Sequence, residues 1–80
     1  MSYILATTEA MVRWYVFPID SPEDIHRLNE GDFELVEILN LDTISGFGNK
    51  QTAKTVAMAV GLKTWRYVKI STPKKTFTIN

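Results

Sequence analysis

The 80-residue chain has no cysteine, which removes disulfides, thiolate metal sites and a thiol nucleophile together. Its stability must therefore come from packing, within one chain or between copies. Histidine occurs once, at His26, with no second imidazole to share a proton or a metal with it. Carboxylates are plentiful, but none recurs at an acid/base or metal-loop spacing. The sequence thus offers no catalytic set, no metal site and no cofactor site, and it reads as a binding protein, not an enzyme.

Long apolar runs are also missing. No stretch approaches the roughly 20 apolar residues that span a bilayer, and residues 1–18, though apolar, are interrupted by Glu9 and Arg13 without a basic leader. The reading is a soluble, cytoplasmic chain with no membrane partner.

The third absence is positional. Formal net charge is zero, yet no acid follows Asp42. Glu9, Asp20, Glu23, Asp24, Glu30, Asp32, Glu34, Glu37 and Asp42 share the first part of the chain with only Arg13 and Arg27. The remainder carries Lys50, Lys54, Lys63, Arg66, Lys69, Lys74 and Lys75. Such a division hints at a charged partner, unless the two halves neutralise one another in the fold.

What is present suffices for one small domain over residues 1–80. Hydrophobic residues make up 45% of the chain and aromatic residues 11%, enough for a thin core, since a chain this short buries only about 60% of its unfolded surface. Met1, Met11 and Met58 read as core filler. Tyr3 to Ala6 reads as a short strand, and the β-branched and aromatic run Met11 to Phe17 as a longer interior one ended by Pro18. Ser21-Pro22-Glu23-Asp24 starts a helix of two to three turns, stopped by Gly31. Phe33 to Leu39 is a further strand. Asn49 caps a helix over Lys50 to Val60 whose Ala53, Val56, Ala57 and Val60 share one face, and Gly61 ends it. Thr64 to Ile70 and Lys75 to Ile79 read as two strands joined by a turn at residues 71–74, most simply as an antiparallel hairpin. The fold class expected is α+β: a mostly antiparallel sheet of four to five strands with two helices on one face. A short strand at Leu41 to Ser45 would make it a ferredoxin-like variant.

Three candidate sites follow. Gly46-Phe47-Gly48 matches part of an RNA-recognition strand, but Asn49, Lys50 and Thr52 stand where Phe, Val and a second aromatic are required. As a dinucleotide loop it lacks the third glycine, with Gln51 in its place. It reads as a hinge loop into the helix, and Gly46, Gly48 and Asn49 remain a candidate anion cradle. The second candidate is the basic and aromatic set Lys50, Lys54, Lys63, Trp65, Arg66, Tyr67, Lys69, Lys74 and Lys75. Strand alternation puts Trp65, Tyr67 and Lys69 on one face, as core aromatics or as an exposed platform. The third is an acidic surface of Glu23, Asp24, Glu30, Asp32, Glu34 and Glu37. The balanced charge favours a protein partner or a second copy of the chain, in the manner of a small bacterial or viral inhibitor. Nucleic acid is the alternative.

Overall fold

The computed structural model describes residues 2–71 and 73–79. Among these residues, six strands and two helical segments follow one another: β1 (Ser2–Ala6), β2 (Trp14–Val16), a 3-10 helix (Pro22–Arg27), β3 (Glu34–Val36), β4 (Ser45–Phe47), α1 (Lys50–Ala59), β5 (Arg66–Ile70) and β6 (Lys75–Phe77). The class is α+β, but the sheet has more strands than the sequence suggests and is mixed: β4 and β6 pair in parallel, and the remaining pairs are antiparallel.

The centre is β1. β5 runs antiparallel along its full length, from Ser2 opposite Ile70 to Ala6 opposite Arg66. A strand has two edges, so the other edge is shared: β2 pairs at Ala6 with Trp14, and β4 at Tyr3 with Phe47. Because β1 is enclosed on both edges and both faces, Ile4, Leu5 and Ala6 are fully buried. Leu5 enters the main core with Tyr15, Phe17, Ile25, Phe47, Val56 and Phe77. Ile4 and Ala6 alternate to the other face, alongside Val68 and Arg66.

Local chemistry explains most of the departures from expectation. β2 begins only at Trp14, because the Thr7 hydroxyl accepts the Arg13 N–H at 2.9 Å and the Thr7 N–H donates to the Arg13 carbonyl at 2.9 Å. That closed loop takes Met11 to Arg13 out of the ladder. With β2 cut to three residues, β3 has nothing to pair with beyond Val36. Met11 and Met58, read as core filler, are instead 83% and 63% exposed; Met1 lies outside the described residues.

The first helix is a 3-10 helix, not an α-helix. Ile25 and the half-buried Leu28 are three residues apart, and three residues per turn eclipses them on the core side. Its N-terminus is closed by Asp24, whose carboxylate accepts the N–H groups of Asp20 (2.9 Å) and Ser21 (3.2 Å). Leu28 is already extended, at φ −68° and ψ 137°, so Gly31 is not the helix stop. At φ 90° it forms a separate turn and donates its N–H to the Val60 carbonyl at 3.0 Å.

α1 conforms to its sequence signals. Asn49 is the N-cap, and Ala53, Val56, Ala57 and Val60 are buried. At its end the Gly61 N–H reaches the Met58 carbonyl (3.2 Å) and the Leu62 N–H the Ala57 carbonyl (2.9 Å), the Schellman arrangement that a left-handed Gly61 at φ 82° permits.

Gly46-Phe47-Gly48 is not a hinge loop. Ser45, Gly46 and Phe47 form β4, held between β1 and β6, and Phe47 has no exposed surface. A Cβ at Gly46 would stand 2.6 Å from Pro73 Cγ, so the absent side chain is what lets the segment at Pro73 close over the strand. Leu41 to Thr43 is a turn, built on the Asn40 side-chain oxygen accepting the Asp42 N–H at 2.9 Å. The extra strand of a ferredoxin-like variant falls instead at Ser45–Phe47, and it pairs with β1 and β6 while β2 pairs directly with β3, so the strand-helix-strand-strand-helix-strand order is present without the ferredoxin-like sheet. Nor do the last two strands form a hairpin, since β5 joins β1 while β6 joins β4 in parallel. Parallel neighbours require a crossover, and α1 and β5 provide its length. The turn expected at residues 71–74 includes Thr72, which lies outside the described residues.

Phe47→Ala should cost about 3–5 kcal/mol by removing the ring at the centre of the core, a large part of the roughly 5–15 kcal/mol that holds such a domain together. Urea unfolding should show it as a large loss of midpoint, with Gly46→Ala smaller at about 1–3 kcal/mol. A pH effect follows from Asp24, whose carboxyl is held below its usual range chiefly by the Asp20 backbone hydrogen bond. A depressed folded pKa contributes stability above the unfolded value, lost as pH falls through the folded one. Wild type should therefore exceed Asp24→Asn in thermal midpoint at pH 7, with the difference shrinking below about pH 4.

Candidate functional site: a basic and aromatic groove

Register decides which way the C-terminal aromatics point. Tyr67 lies opposite Leu5 and Lys69 opposite Tyr3. Leu5 belongs to the main core, so the face of β5 carrying Tyr67 and Lys69, and Trp65 just before the strand, is the face that α1 covers. Trp65 and Tyr67 are half-buried against that core, their rings perpendicular at 89° with centroids 6.4 Å apart. They are neither fully enclosed core aromatics nor a free platform.

α1 brings two lysines to these rings. Lys50 and Lys54 are one turn apart, on the same side of the helix. The Lys50 ammonium stands 5.6 Å from the Tyr67 centroid and 5.8 Å from that of Tyr3, and Lys69 approaches Tyr3 from the strand side, also at 5.8 Å. Lys54, Lys63, Trp65 and Tyr67, with Thr8 and Thr64, line a shallow groove of about 500 Å³. Thr8 and Thr64 close one end, the Thr8 hydroxyl donating to Thr64 Oγ1 at 3.3 Å.

Close ion pairs rarely join the acidic and basic parts of the sequence. Among the described residues, the ion pairs are Arg13–Glu9 (2.8 Å), Arg27–Asp24 (3.7 Å) and Lys75–Asp20 (3.3 Å). Only the last joins the acidic and basic parts of the chain. Lys50, Lys54, Lys63 and Lys69 have no carboxylate within 4 Å among those residues.

The nine basic and aromatic candidates therefore separate. Lys50, Lys54, Lys63, Trp65, Tyr67 and Lys69 converge; Arg66 alternates to the opposite face of β5; Lys74 lies ahead of β6, its N–H bonded to the Leu41 carbonyl at 3.0 Å; and Lys75 pairs with Asp20. Sequence reasoning missed Tyr3 and Thr8. Both belong to the first strand and its end, and only the long-range pairing of β1 with β5 places them here.

The acidic candidates occupy several local settings. Glu23 and Asp24 sit at the start of the 3-10 helix, and hydrogen bonding to its own backbone N–H holds the Glu23 carboxyl below its usual range. The Asp32 carboxylate closes a turn by accepting the Asn29 N–H at 2.8 Å, and Glu30 packs against Gly61, where an added Cβ would come within 2.9 Å of its Cγ. Asp32 and Glu34 flank a cleft beside Phe17 and Phe33, and Glu37 lines a separate hollow with Met11 and Ile38.

Around the anion cradle, the polar groups serve the chain itself. The Gly48 N–H donates to the Phe77 carbonyl at 2.9 Å. Asn49 Oδ1 accepts both the N–H and the hydroxyl of Thr52 at 2.8 Å. Gly46 lies within β4. Thr52 Oγ1 then accepts the Ile79 N–H at 3.1 Å, tying the helix start to the C-terminal segment.

No helix among the described residues is long and apolar enough to cross a membrane. No protein-family model, curated protein or solved structure matches the chain.

Proposed function

We propose that the protein is a binding module that holds nucleic acid in the groove between α1 and β5. The observation behind this reading is the convergence of Lys50, Lys54, Lys63 and Lys69 on Tyr3, Trp65 and Tyr67 with no carboxylate in ion-pair range among the described residues. Lysines provide charge for phosphates and the rings provide surface for bases. A formal net charge of zero does not cancel that local field. The Debye length is about 8 Å at physiological salt, whereas the molecule extends 32 × 27 × 18 Å, so distant acids are screened. This places nucleic acid ahead of the protein partner favoured by composition. A reducing cytoplasm is the setting that a cysteine-free chain suits.

A salt titration with a short oligonucleotide tests the reading. Four lysine–phosphate contacts should give a slope of log K against log salt of about −3. The double variant Lys54→Ala, Lys63→Ala should make it shallower by about 1.5, with the thermal midpoint little changed. Absence of binding at low salt would refute the site.

A protein partner or a second copy of the chain is favoured by a different observation. Met11 and Ile38 are 83% and 82% exposed and share a hollow with Val12, Glu9, Arg13 and Glu37. Sedimentation velocity over a range of concentrations should then show self-association that Ile38→Asp abolishes. A strict monomer at every concentration would remove the second copy from this reading.

A further inference from the structure

We infer that the groove takes single-stranded nucleic acid in preference to duplex, with one unpaired base lodged in the corner made by Trp65 and Tyr67 and its flanking phosphates on the lysines. This rests on the nucleic-acid reading above and adds the form of the ligand.

The placement of rings relative to charges carries the inference. Trp65 and Tyr67 line the groove together with Lys54 and Lys63, Lys50 stands over Tyr67, and Lys69 lies beyond, beside Tyr3. In a duplex the base faces are covered by their neighbours, so a ring floor would meet only sugar and phosphate. In a single strand each base has a free face, and stacking on an aromatic side chain strengthens binding by roughly 5- to 150-fold per base. Perpendicular rings suit one flat base well: it lies on the face of one ring and turns its edge to the face of the other, both arrangements that the ring quadrupoles favour.

Dimensions agree. Trp65 and Lys69 are four residues apart on an extended segment, about 13 Å at strand rise. Lys63 and Lys54 stand toward the first end and Lys69 at the second, so phosphates on both sides of a stacked base can be met. No element among the described residues protrudes into a duplex groove. The roughly 12 Å major groove admits a helix that presents its residues outward. α1 buries Ala53, Val56 and Ala57, and its Lys50 turns back over Tyr3 and Tyr67.

Lys50 also suggests how the site opens to its ligand. Its ammonium stands over the Tyr67 and Tyr3 rings, at 5.6 and 5.8 Å. A cation–π contact at a half-exposed site is weak, and a charge-assisted hydrogen bond to phosphate is stronger. An entering base takes the ring faces, and the displaced ammonium pairs with the phosphate beside it.

The test uses the full chain with Trp14→Phe, which leaves Trp65 as the sole tryptophan. Three probes are titrated against its fluorescence at low salt: a single-stranded oligothymidine, a duplex of equal length and inorganic polyphosphate. Quenching of Trp65 by the single strand, with affinity at least about tenfold above the other two, is the expected result, since one stacked base supplies roughly that factor. Trp65→Leu should weaken the single strand about 5- to 150-fold and leave polyphosphate unchanged, and Trp65→Phe, which keeps a ring, should retain most of the affinity. Equal affinity for all three probes would overturn the single-strand inference while leaving the groove as a site for anionic polymers. No binding of any probe would overturn both. Should Trp65→Leu fail to fold, as read from its thermal transition, the ranking of the probes by the Trp14→Phe protein decides alone.

Discussion

The structure depends on β1 being saturated. Five residues hold β5 on one edge, β2 and β4 on the other, and apolar side chains on both faces. Each buried backbone N–H or carbonyl left without a partner costs about 1–3 kcal/mol, so the strand enforces the positions of its three neighbours together. The groove inherits its geometry from that constraint. Its floor is the face of β5 registered to Tyr3 and Leu5, and its wall is α1, whose apolar side is seated on β1 and β4.

Both ends of that wall are fixed independently of the groove. At the start, Asn49 caps Thr52, and Thr52 reaches the Ile79 backbone. At the end, the Gly61 turn closes the last carbonyls, while Val60 accepts from Gly31. Two of these contacts, Thr52 with Ile79 and Val60 with Gly31, bind α1 to segments distant in sequence. Lys50 and Lys54 therefore project from a helix that cannot roll without breaking a cap, which sets the side from which they reach the groove.

The same division between local and distant determinants explains what could be read from the sequence. α1 was legible from its cap at Asn49 to its stop at Gly61, because every signal lies within the helix itself. β4 was not. Ser45-Gly46-Phe47 has no strand propensity beyond one aromatic, and it is extended only because β1 and β6 enclose it and Pro73 needs the space above Gly46. β2 was overextended, because β-branched and aromatic content cannot register that Thr7 would claim the Arg13 N–H. For the groove, the residue types were legible and the assembly was not. Lys63, Trp65, Tyr67 and Lys69 alternate visibly, but Tyr3 enters through a pairing more than sixty residues away, and Arg66 and Lys75 leave through strand facing and an ion pair.

Charge carries the last distinction. Several acids work inside the fold: Asp24 and Asp32 hold backbone N–H groups, Glu9 pairs with Arg13, and Asp20 with Lys75. Lys50, Lys54, Lys63 and Lys69 hold no such partner among the described residues, and surface side chains of that kind change stability by only about 0.5 kcal/mol when replaced. Like charges gathered in one region repel one another, which offsets the weak cation–π contacts of Lys50 and Lys69, so the fold gains little from this placement. The proposed ligand, anionic and with flat bases, would turn this near-neutral arrangement into a favourable one by placing phosphates beside the ammonium groups and bases beside the rings.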